Sequence, residues 1–194
     1  MKKALLFLIL TVFFCPFLAQ AADIDSDIDG LSDKLELQFK TDLNNKDTDN
    51  DGYIDGVEIA NAYNPLSSST IKLSKNIEVE LKTQKLRYFL DGVKLGEYIV
   101  STGKTGTPTP KGNFVIKNKA LRPKSAAFGL WMPYWLGLNA PGIGIHELPE
   151  WGKGIKEGAS HLGKPVSHGC VRLGVGAAKT IYDFAAVGTK VKIY

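Results

Sequence analysis

Cysteine is scarce in this sequence: the 194 residues contain only two, Cys15 and Cys170. Cys15 lies in an N-terminal stretch that we expect to be removed, which would leave Cys170 as the only thiol of the mature chain. A single thiol excludes an internal disulfide bond. Cys170 is therefore either a small buried residue or a reactive one, and a reactive thiol needs a neighbouring base or a lowered pKa.

Long apolar runs are lacking beyond the N-terminus. Residues 1–21 begin with two lysines, continue through an apolar stretch from Ala4 to Leu18, and end in Ala19-Gln20-Ala21. This order predicts a secretory signal peptide, because the apolar stretch is shorter than the ~20 residues of a membrane-spanning helix. Retention as an uncleaved anchor is the alternative. We expect an exported protein of the periplasm or cell envelope, with no transmembrane segment in the mature chain.

Charge is distributed unevenly, although the formal net charge is only +4. Residues 22–66 carry 12 acidic and 3 basic side chains, whereas residues 67–194 carry 8 acidic and 19 basic ones. This contrast predicts a small acidic module at 22–66 and a larger basic module at 75–194, joined by a polar linker at 67–74. A basic surface favours an anionic polymer. No basic helix and no interleaving of aromatic and basic residues suggests nucleic acid.

The acidic module contains one twelve-residue pattern twice. In both copies aspartates occupy positions 1, 3, 5 and 9 of an EF-hand-type loop, with glycine at position 6 and glutamate at position 12. Because Ca²⁺ takes about six to eight oxygens, each loop predicts one calcium site, and the clustered carboxylates predict calcium-dependent folding of residues 23–66. A disordered acidic tail is the alternative. Counting the backbone carbonyl at position 7, the expected ligands are Asp25, Asp27, Asp29, Leu31, Asp33 and Glu36, and then Asp47, Asp49, Asp51, Tyr53, Asp55 and Glu58.

The basic module is expected to be mainly β, in an α+β class. Alternation of apolar residues at 77–81 and 86–90, the latter followed by Asp91-Gly92, predicts a β-hairpin. Further strands are predicted at 95–101, 114–117 and 189–194. The one clear helical pattern runs from Gly176 to Ala186. In the acidic module, short helices are expected after each loop, at 31–40 and 57–63.

Three histidines, His146, His161 and His168, lie within 24 positions of Cys170. His146 ends the alternating run 142–146, and His168 stands two residues before the cysteine. A thiol beside an imidazole predicts an acyl-transfer site, in which the histidine removes the thiol proton. On chemistry alone, His146 and His168 are equally suited to be the base, and His161 is expected in a loop.

Four short motifs occur in the basic module: Ser-Thr-Gly-Lys at 101–104, Thr-Pro-Lys-Gly at 109–112, Gly-Ile-His at 144–146 and Ser-His-Gly-Cys-Val-Arg-Leu at 167–173. Together they resemble the catalytic domain of the L,D-transpeptidases (YkuD-like), bacterial cell-wall cross-linking enzymes that use cysteine. The resemblance covers residues 75–194. It implies a mixed β-sandwich or barrel with a helix packed beside it. The loop between the two histidine motifs is longer than is usual in the family, and Glu147 replaces the glycine that usually follows the base.

The resemblance also implies the roles of the site residues. Cys170 would be the nucleophile and His146 the base, with backbone N–H groups near Gly169 and Cys170 holding the oxyanion. Ser167, His168 and Gly169 would lie around the substrate or behind the reacting groups. Arg172 would either bind a carboxylate of the substrate or brace the loop.

The implied substrates are peptidoglycan stem peptides, which would be transferred through a thioester to the side-chain amine of a second stem without a catalytic cofactor. A hydrolytic L,D-carboxypeptidase or endopeptidase of the same fold is one alternative, and a catalytically inactive calcium-dependent envelope-binding protein is another. The calcium loops resemble bacterial thrombospondin type-3 repeats. Their module could bind an envelope protein partner.

Overall fold

Eight β-strands close into a barrel in the computed structural model, which describes residues 23–194. The predicted signal peptide lies outside these residues. Within them, no helix has both the length and the apolar character that crossing a bilayer requires. The strands are β1 (Lys75–Glu80), β2 (Lys85–Leu90), β3 (Val93–Ser101), β4 (Gly112–Ala120), β5 (Trp135–Leu138), β6 (Gly144–Glu147), β7 (Val171–Leu173) and β8 (Lys190–Ile193).

Three α-helices accompany the strands: α1 (Asp33–Phe39) and α2 (Asp55–Ala60) in the acidic module, and α3 (Ala177–Phe184) beside the barrel. Two short 3₁₀ turns, Gly152–Gly154 and Ala159–His161, lie between β6 and β7. The mainly β class with a packed helix, as expected from the sequence, is confirmed.

The barrel follows the order β1-β2-β3-β7-β6-β5-β4-β8. Two of its pairings, β1 with β8 and β6 with β7, are parallel, and the others are antiparallel. The predicted hairpin forms from β2 and β3 around the Asp91-Gly92 turn. Alternate residues of the strands point inward, so that Ile77, Val79 and Ile145 are buried with Ile181 of α3 in one core. Helix α3 contacts β6 and β7 and therefore lies behind the strands that carry the histidine and cysteine motifs.

The acidic module is folded as two similar loops, each followed by its helix. Asp25 accepts backbone N–H bonds from Ile28 at 2.8 Å and Gly30 at 3.0 Å, and Asp47 accepts one from Gly52 at 2.9 Å. The two glycines at position 6 have φ of 94° and 96°, the left-handed conformation that a sharp turn requires. The loops are also joined to each other, because the N–H of Gly56 donates to Asp29 Oδ2 at 2.7 Å.

An apolar cluster joins this module to the barrel. Leu31, Phe39, Ile59 and Ala62 of the module pack with Leu90 of β2. Leu73, Val93, Leu95 and Phe184 border the cluster on the barrel side. None of the ion pairs in the described chain connects the two modules, so their contact is apolar despite their opposite net charges.

The segment expected to be a linker also takes part in this contact. Its end is paired to the acidic module, because the N–H of Leu73 donates to the carbonyl of Ala62 at 2.8 Å and Lys72 lies over the ring of Tyr63 at 4.4 Å. The two modules are consequently held together by more than a flexible connection.

This shared cluster makes a stability prediction for helix α1. Phe39 is 8% exposed and Leu37, on the same helix, is 68% exposed. Phe39→Ala should lower the free energy of unfolding by roughly 2–4 kcal/mol, since it removes a large side chain from the cluster. Leu37→Ala should change it by less than about 0.5 kcal/mol. Urea denaturation followed by fluorescence measures both, and equal effects of the two substitutions would contradict the shared cluster.

Candidate active site

The parallel pairing of β6 with β7 brings the two sequence motifs together. In this register Ile145 lies opposite Val171 and His146 lies opposite Arg172. Ile145 and Val171 are fully buried in the barrel core. Because side chains alternate along a strand, His146 and Arg172 point to the other face, and Cys170 shares that face with Arg172.

His146 and Cys170 line the same cavity, whose volume is about 610 Å³. One wall is residues 121–134, here called the strap, whose ends pair through the Tyr134 N–H and the Leu121 carbonyl at 2.7 Å. Another wall is residues 148–162, here called the insert, which contains the extra residues expected from the sequence around Leu148 to Gly158. Strap and insert are joined by two backbone hydrogen bonds of 2.9 Å between Trp131 and Glu150.

His146 is held in one orientation. Its Nδ1 lies 2.5 Å from the backbone carbonyl of Glu147. A carbonyl can only accept a hydrogen bond, so Nδ1 carries the proton and Nε2 is left to accept one. A backbone carbonyl therefore orients the imidazole of His146, at the position where Glu147 stands.

Burial determines the charge state of His146. The ring of Trp135 packs against the imidazole at a centroid distance of 5.8 Å, and the indole N–H is fixed by Asn118 Oδ1 at 2.9 Å. A Cβ at position 144 would come within 2.5 Å of the Trp135 ring, so this packing requires Gly144. The pKa of His146 is lowered to about 4, mainly by burial; the bond to Glu147 opposes this shift, and the nearby charge of Arg172 adds to it. His146 is neutral at physiological pH.

Cys170 is also neutral at rest. Burial raises the pKa of its thiol above the ordinary value, and a backbone hydrogen bond from Gly144 and the charge of Arg172 only partly oppose this. The Sγ lies 3.5 Å from the carbonyl oxygen of Gly142, to which the thiol donates. The resting site therefore holds a neutral thiol and a neutral imidazole in one cavity, and not a preformed thiolate.

Ser167 and Gly169 shape the turn that presents Cys170. The buried Ser167 hydroxyl donates to the Cys170 carbonyl at 2.6 Å and accepts the Gly169 N–H at 3.1 Å. The upstream signatures support this turn, since Thr109 Oγ1 donates to the Gly169 carbonyl at 2.8 Å and the Ser167 N–H donates to the Thr102 carbonyl at 2.9 Å. Ser167 and Gly169 thus act on the loop that carries Cys170 from behind it.

The other two histidines have different surroundings. His168 lines the cavity and stacks on Phe128 at the tip of the strap, with the ring centroids 4.9 Å apart. His161 lies in the insert, where its Nδ1 is 3.2 Å from Glu157 Oε1. Of the three histidines, His146 is the one that is buried, lines the cavity with Cys170 and is fixed in its tautomer.

Arg172 makes the bracing contact, one of the two roles left open by the sequence. Its guanidinium donates to Glu157 Oε2 at 2.6 Å, which ties the insert to β7. Glu147 pairs with Lys156, and Glu150 pairs with Arg122, so two further ion pairs hold the insert and the strap. These three ion pairs fix the insert as one wall of the cavity.

Several cavity residues were not found from the sequence. Trp135 and Phe128 are part of its apolar lining, and Lys124 and Glu157 supply charges. Trp135 lies next to Leu136, which pairs with Ile145, but that register is known only once the strands are assembled. No spacing or motif marks Phe128, Lys124 or Glu157. Trp151 lines the cavity as well, in the long loop that was expected beside the cleft.

With this geometry established, comparison with known proteins identifies the family. The family model for the L,D-transpeptidase catalytic domain (YkuD) matches residues 74–193. The chain belongs to the L,D-transpeptidase family. The bacterial TSP3 repeat model matches residues 25–44 and 47–61, so both resemblances seen in the sequence are confirmed.

Relatives of this L,D-transpeptidase family member share its larger module. A Bacillus licheniformis protein, YkuD, whose name provisionally assigns it as an L,D-transpeptidase, is 32% identical over 117 residues, which are 60% of this chain and 64% of that protein. The L,D-transpeptidase structure from Stackebrandtia nassauensis is 29% identical with a TM-score of 0.52, covering 66% of this chain and 62% of that one. L,D-transpeptidase 3 from Mycobacterium tuberculosis, in complex with a faropenem-derived adduct, is 19% identical with a TM-score of 0.53, covering 63% and 60%. The chain thus spans less than two thirds of each of these relatives, and the last likeness shows the fold alone.

The acidic loops form a second candidate site in this member of the family. The carboxylates of Asp25, Asp27 and Asp29 lie within 4.8 Å of one another, and so do those of Asp47, Asp49 and Asp51. Both carboxylate oxygens of Asp27 and one oxygen each of Glu36, Asp49 and Glu58 are buried without a hydrogen-bond partner. Burial, followed by neighbouring aspartates, raises the pKa of Glu36 and of Glu58 to about 7. Orphaned, clustered carboxylate oxygens fit a hard divalent cation such as Ca²⁺.

Asp33 and Asp55, at position 9 of each loop, lie outside these clusters. Both oxygens of Asp33 accept hydrogen bonds from Ser26 at 2.8 Å, and those of Asp55 accept bonds from Thr48 at 3.0 and 2.6 Å. They close the loops, and the carboxylate oxygens that are buried without a partner belong to positions 3 and 12 of each loop. Leu31 and Tyr53 follow at position 7, where only their backbone carbonyls could contribute.

The buried environment of His146 makes a titration prediction. Its imidazole should titrate near pH 4 when followed by NMR of the ring protons. In Trp135→Ala the pKa should rise towards 6.5, because water replacing the indole removes the penalty on the charged ring. Trp151→Ala is the matched control, since Trp151 lines the same cavity but is 46% exposed. A normal pKa in the unsubstituted protein would contradict the assigned burial.

Proposed function

We propose that this chain is a cysteine-dependent L,D-transpeptidase that acts on peptidoglycan stem peptides through a thioester acyl-enzyme. The observation that carries the proposal is the placement of Cys170 and His146 in one cavity, with the imidazole neutral and its Nδ1 proton committed to a backbone carbonyl. That leaves Nε2 as an acceptor for the thiol proton. Membership of the family supports the same chemistry.

In the first half-reaction, Cys170 Sγ attacks the carbonyl carbon of the third residue of a tetrapeptide stem, the residue that precedes the terminal D-alanine. His146 takes the thiol proton during the attack, which makes a preformed thiolate unnecessary. The Gly169 N–H is already donated to Ser167, so we assign oxyanion stabilisation to the N–H of Cys170. Collapse of the tetrahedral intermediate breaks the peptide bond, and the imidazolium returns the proton to the departing amine of D-alanine.

In the second half-reaction, the side-chain amine of another stem attacks the thioester. His146 accepts a proton from this amine, and the Cys170 sulfur leaves and is reprotonated, so that a cross-link forms and the free thiol is restored. Water in place of the amine would give a hydrolase with the same acyl-enzyme. Product analysis with donor and acceptor peptides separates the two outcomes.

A covalent adduct with a carbapenem, an acylating mimic of the donor, tests the nucleophile and the base separately. Cys170→Ala should abolish the mass increase of intact protein, and His146→Gln should slow it by about 10²- to 10⁴-fold, the usual range for loss of a general base. His161→Gln is the histidine control and should change the rate by less than about threefold. Absence of any adduct on the unsubstituted protein would favour the inactive envelope-binding alternative.

We also propose that the acidic loops bind Ca²⁺ as a structural ion and that the protein is exported. Export rests on the basic, apolar and small-residue order of the first 21 positions. The calcium assignment is supported by the repeated loop pattern and by the orphaned oxygens of Asp27, Glu36, Asp49 and Glu58. A bound cation would neutralise the repulsion among the carboxylates. We also propose that the acidic module binds a protein of the cell envelope, a proposal that rests on its composition.

Calcium titration tests the acidic loops. Isothermal calorimetry should detect binding at millimolar Ca²⁺ or below, and saturation should raise the melting temperature by several degrees, because a ligand specific for the folded state stabilises it. Asp27→Asn and Asp49→Asn should each weaken one site by about tenfold or more. Asp42→Asn, which removes a carboxylate between the loops, is the control. Equal affinity in all three variants would contradict the assigned ligands.

A further inference from the structure

Among the described residues, the cavity lining carries more positive than negative side chains, and the unpaired positive charge is that of Lys124. Lys124, Arg172 and Glu157 are the lysine, arginine and carboxylate side chains among the lining residues. Glu157 is committed to Arg172, with 2.6 Å between Oε2 and the guanidinium. Within the described chain, no carboxylate lies within ion-pair distance of the Lys124 ammonium. We propose that Lys124 binds a carboxylate of the donor stem peptide, an assignment that rests on the proposed function.

Arg172 is poorly placed for this task. Its side chain is 10% exposed, its charge is offset by Glu157, and its Nε is buried without a partner. A substrate that claimed the guanidinium would have to break the brace between β7 and the insert. Lys124 can bind an anion with no such loss.

The backbone of the strap positions Lys124 at the cavity. The Ser125 N–H donates to the Leu130 carbonyl at 2.8 Å, and the Met132 N–H donates to the Pro123 carbonyl at 2.9 Å, so Lys124 is held in a short two-stranded ladder opposite Trp131. Trp131 is itself paired with Glu150 of the insert. The Lys124 ammonium lies 5.7 Å from the Trp131 ring. The Lys124 ammonium is thus carried by a hydrogen-bonded segment of the strap.

The rest of the lining strengthens the attraction. Phe128, Leu130, Met132 and Trp151 are apolar neighbours of Lys124 around the cavity. A bound peptide would exclude water between these side chains, and a charge pair is stronger in such a medium than in open solvent. The same wall gives a neutral peptide lacking the carboxylate no comparable contact, so Lys124 would select for an acidic donor.

A stem peptide presents carboxylates at its C-terminus and along its chain, and either could be the partner. The test is steady-state kinetics of the full-length mature protein with a defined tetrapeptide donor at fixed acceptor concentration. Lys124→Gln should raise the donor KM about fivefold to tenfold with kcat within about twofold, and Lys124→Arg should restore most of the affinity. Lys82→Gln, at an exposed lysine in the β1–β2 turn, makes the same change in net charge and should leave KM unchanged.

Amidated donors identify which carboxylate is bound. Amidation of the responsible carboxylate should raise KM for the unsubstituted protein by the same factor as Lys124→Gln, and it should add little in Lys124→Gln. Amidation of the other carboxylate should act equally on both proteins. This pattern is not produced by a lysine that only supports the fold.

Three results would overturn the inference. The first is an unchanged KM in Lys124→Gln, and the second is an equal response of both proteins to every amidated donor. The third is a fall in kcat together with a lower melting temperature, which would assign Lys124 a structural role. Failure of the proposed function is distinguishable from these, because the unsubstituted protein would then form neither product nor acyl adduct with any donor.

Discussion

The parallel pairing of β6 with β7 is the constraint on which the candidate active site depends. It places His146 opposite Arg172 and sends Ile145 and Val171 into the barrel core. A slip of one residue on either strand would turn that strand's reactive side chain inward and its apolar neighbour outward. The packing of the core, to which α3 contributes Ile181, therefore also fixes the register of the nucleophile and the base.

Burial controls the chemistry of this pair in two opposite directions. Loss of water lowers the pKa of His146 and raises the pKa of Cys170, so both groups are neutral before substrate arrives. A neutral imidazole with its Nδ1 proton on the Glu147 carbonyl is ready to accept at Nε2. The thiol in turn stays protonated at rest, because burial raises its pKa.

Ion pairs around the same cavity hold its walls in place. Arg172 with Glu157, Lys156 with Glu147, and Arg122 with Glu150 attach the long insert to the barrel and to the strap. The acidic module is attached differently, through apolar contacts with β2 and β3. Helix α1 carries Phe39 into that cluster, so the acidic module and the barrel share part of their stability.

The sequence by itself determined the fold class, the β2–β3 hairpin, helix α3 and the two acidic loops, because these depend on local periodicity and fixed spacing. The choice of Cys170 and His146 as candidate reactive residues came from the family resemblance, since spacing did not separate His146 from His168. The sequence left open whether Arg172 binds or braces, and it could not find Trp135, Lys124 or Glu157. Those answers required the tertiary structure, since each depends on a partner distant in the chain. Trp135 contacts His146 through the pairing of β5 with β6. Glu157 of the insert contacts Arg172 of β7. Lys124 lines the cavity because the strap folds against it.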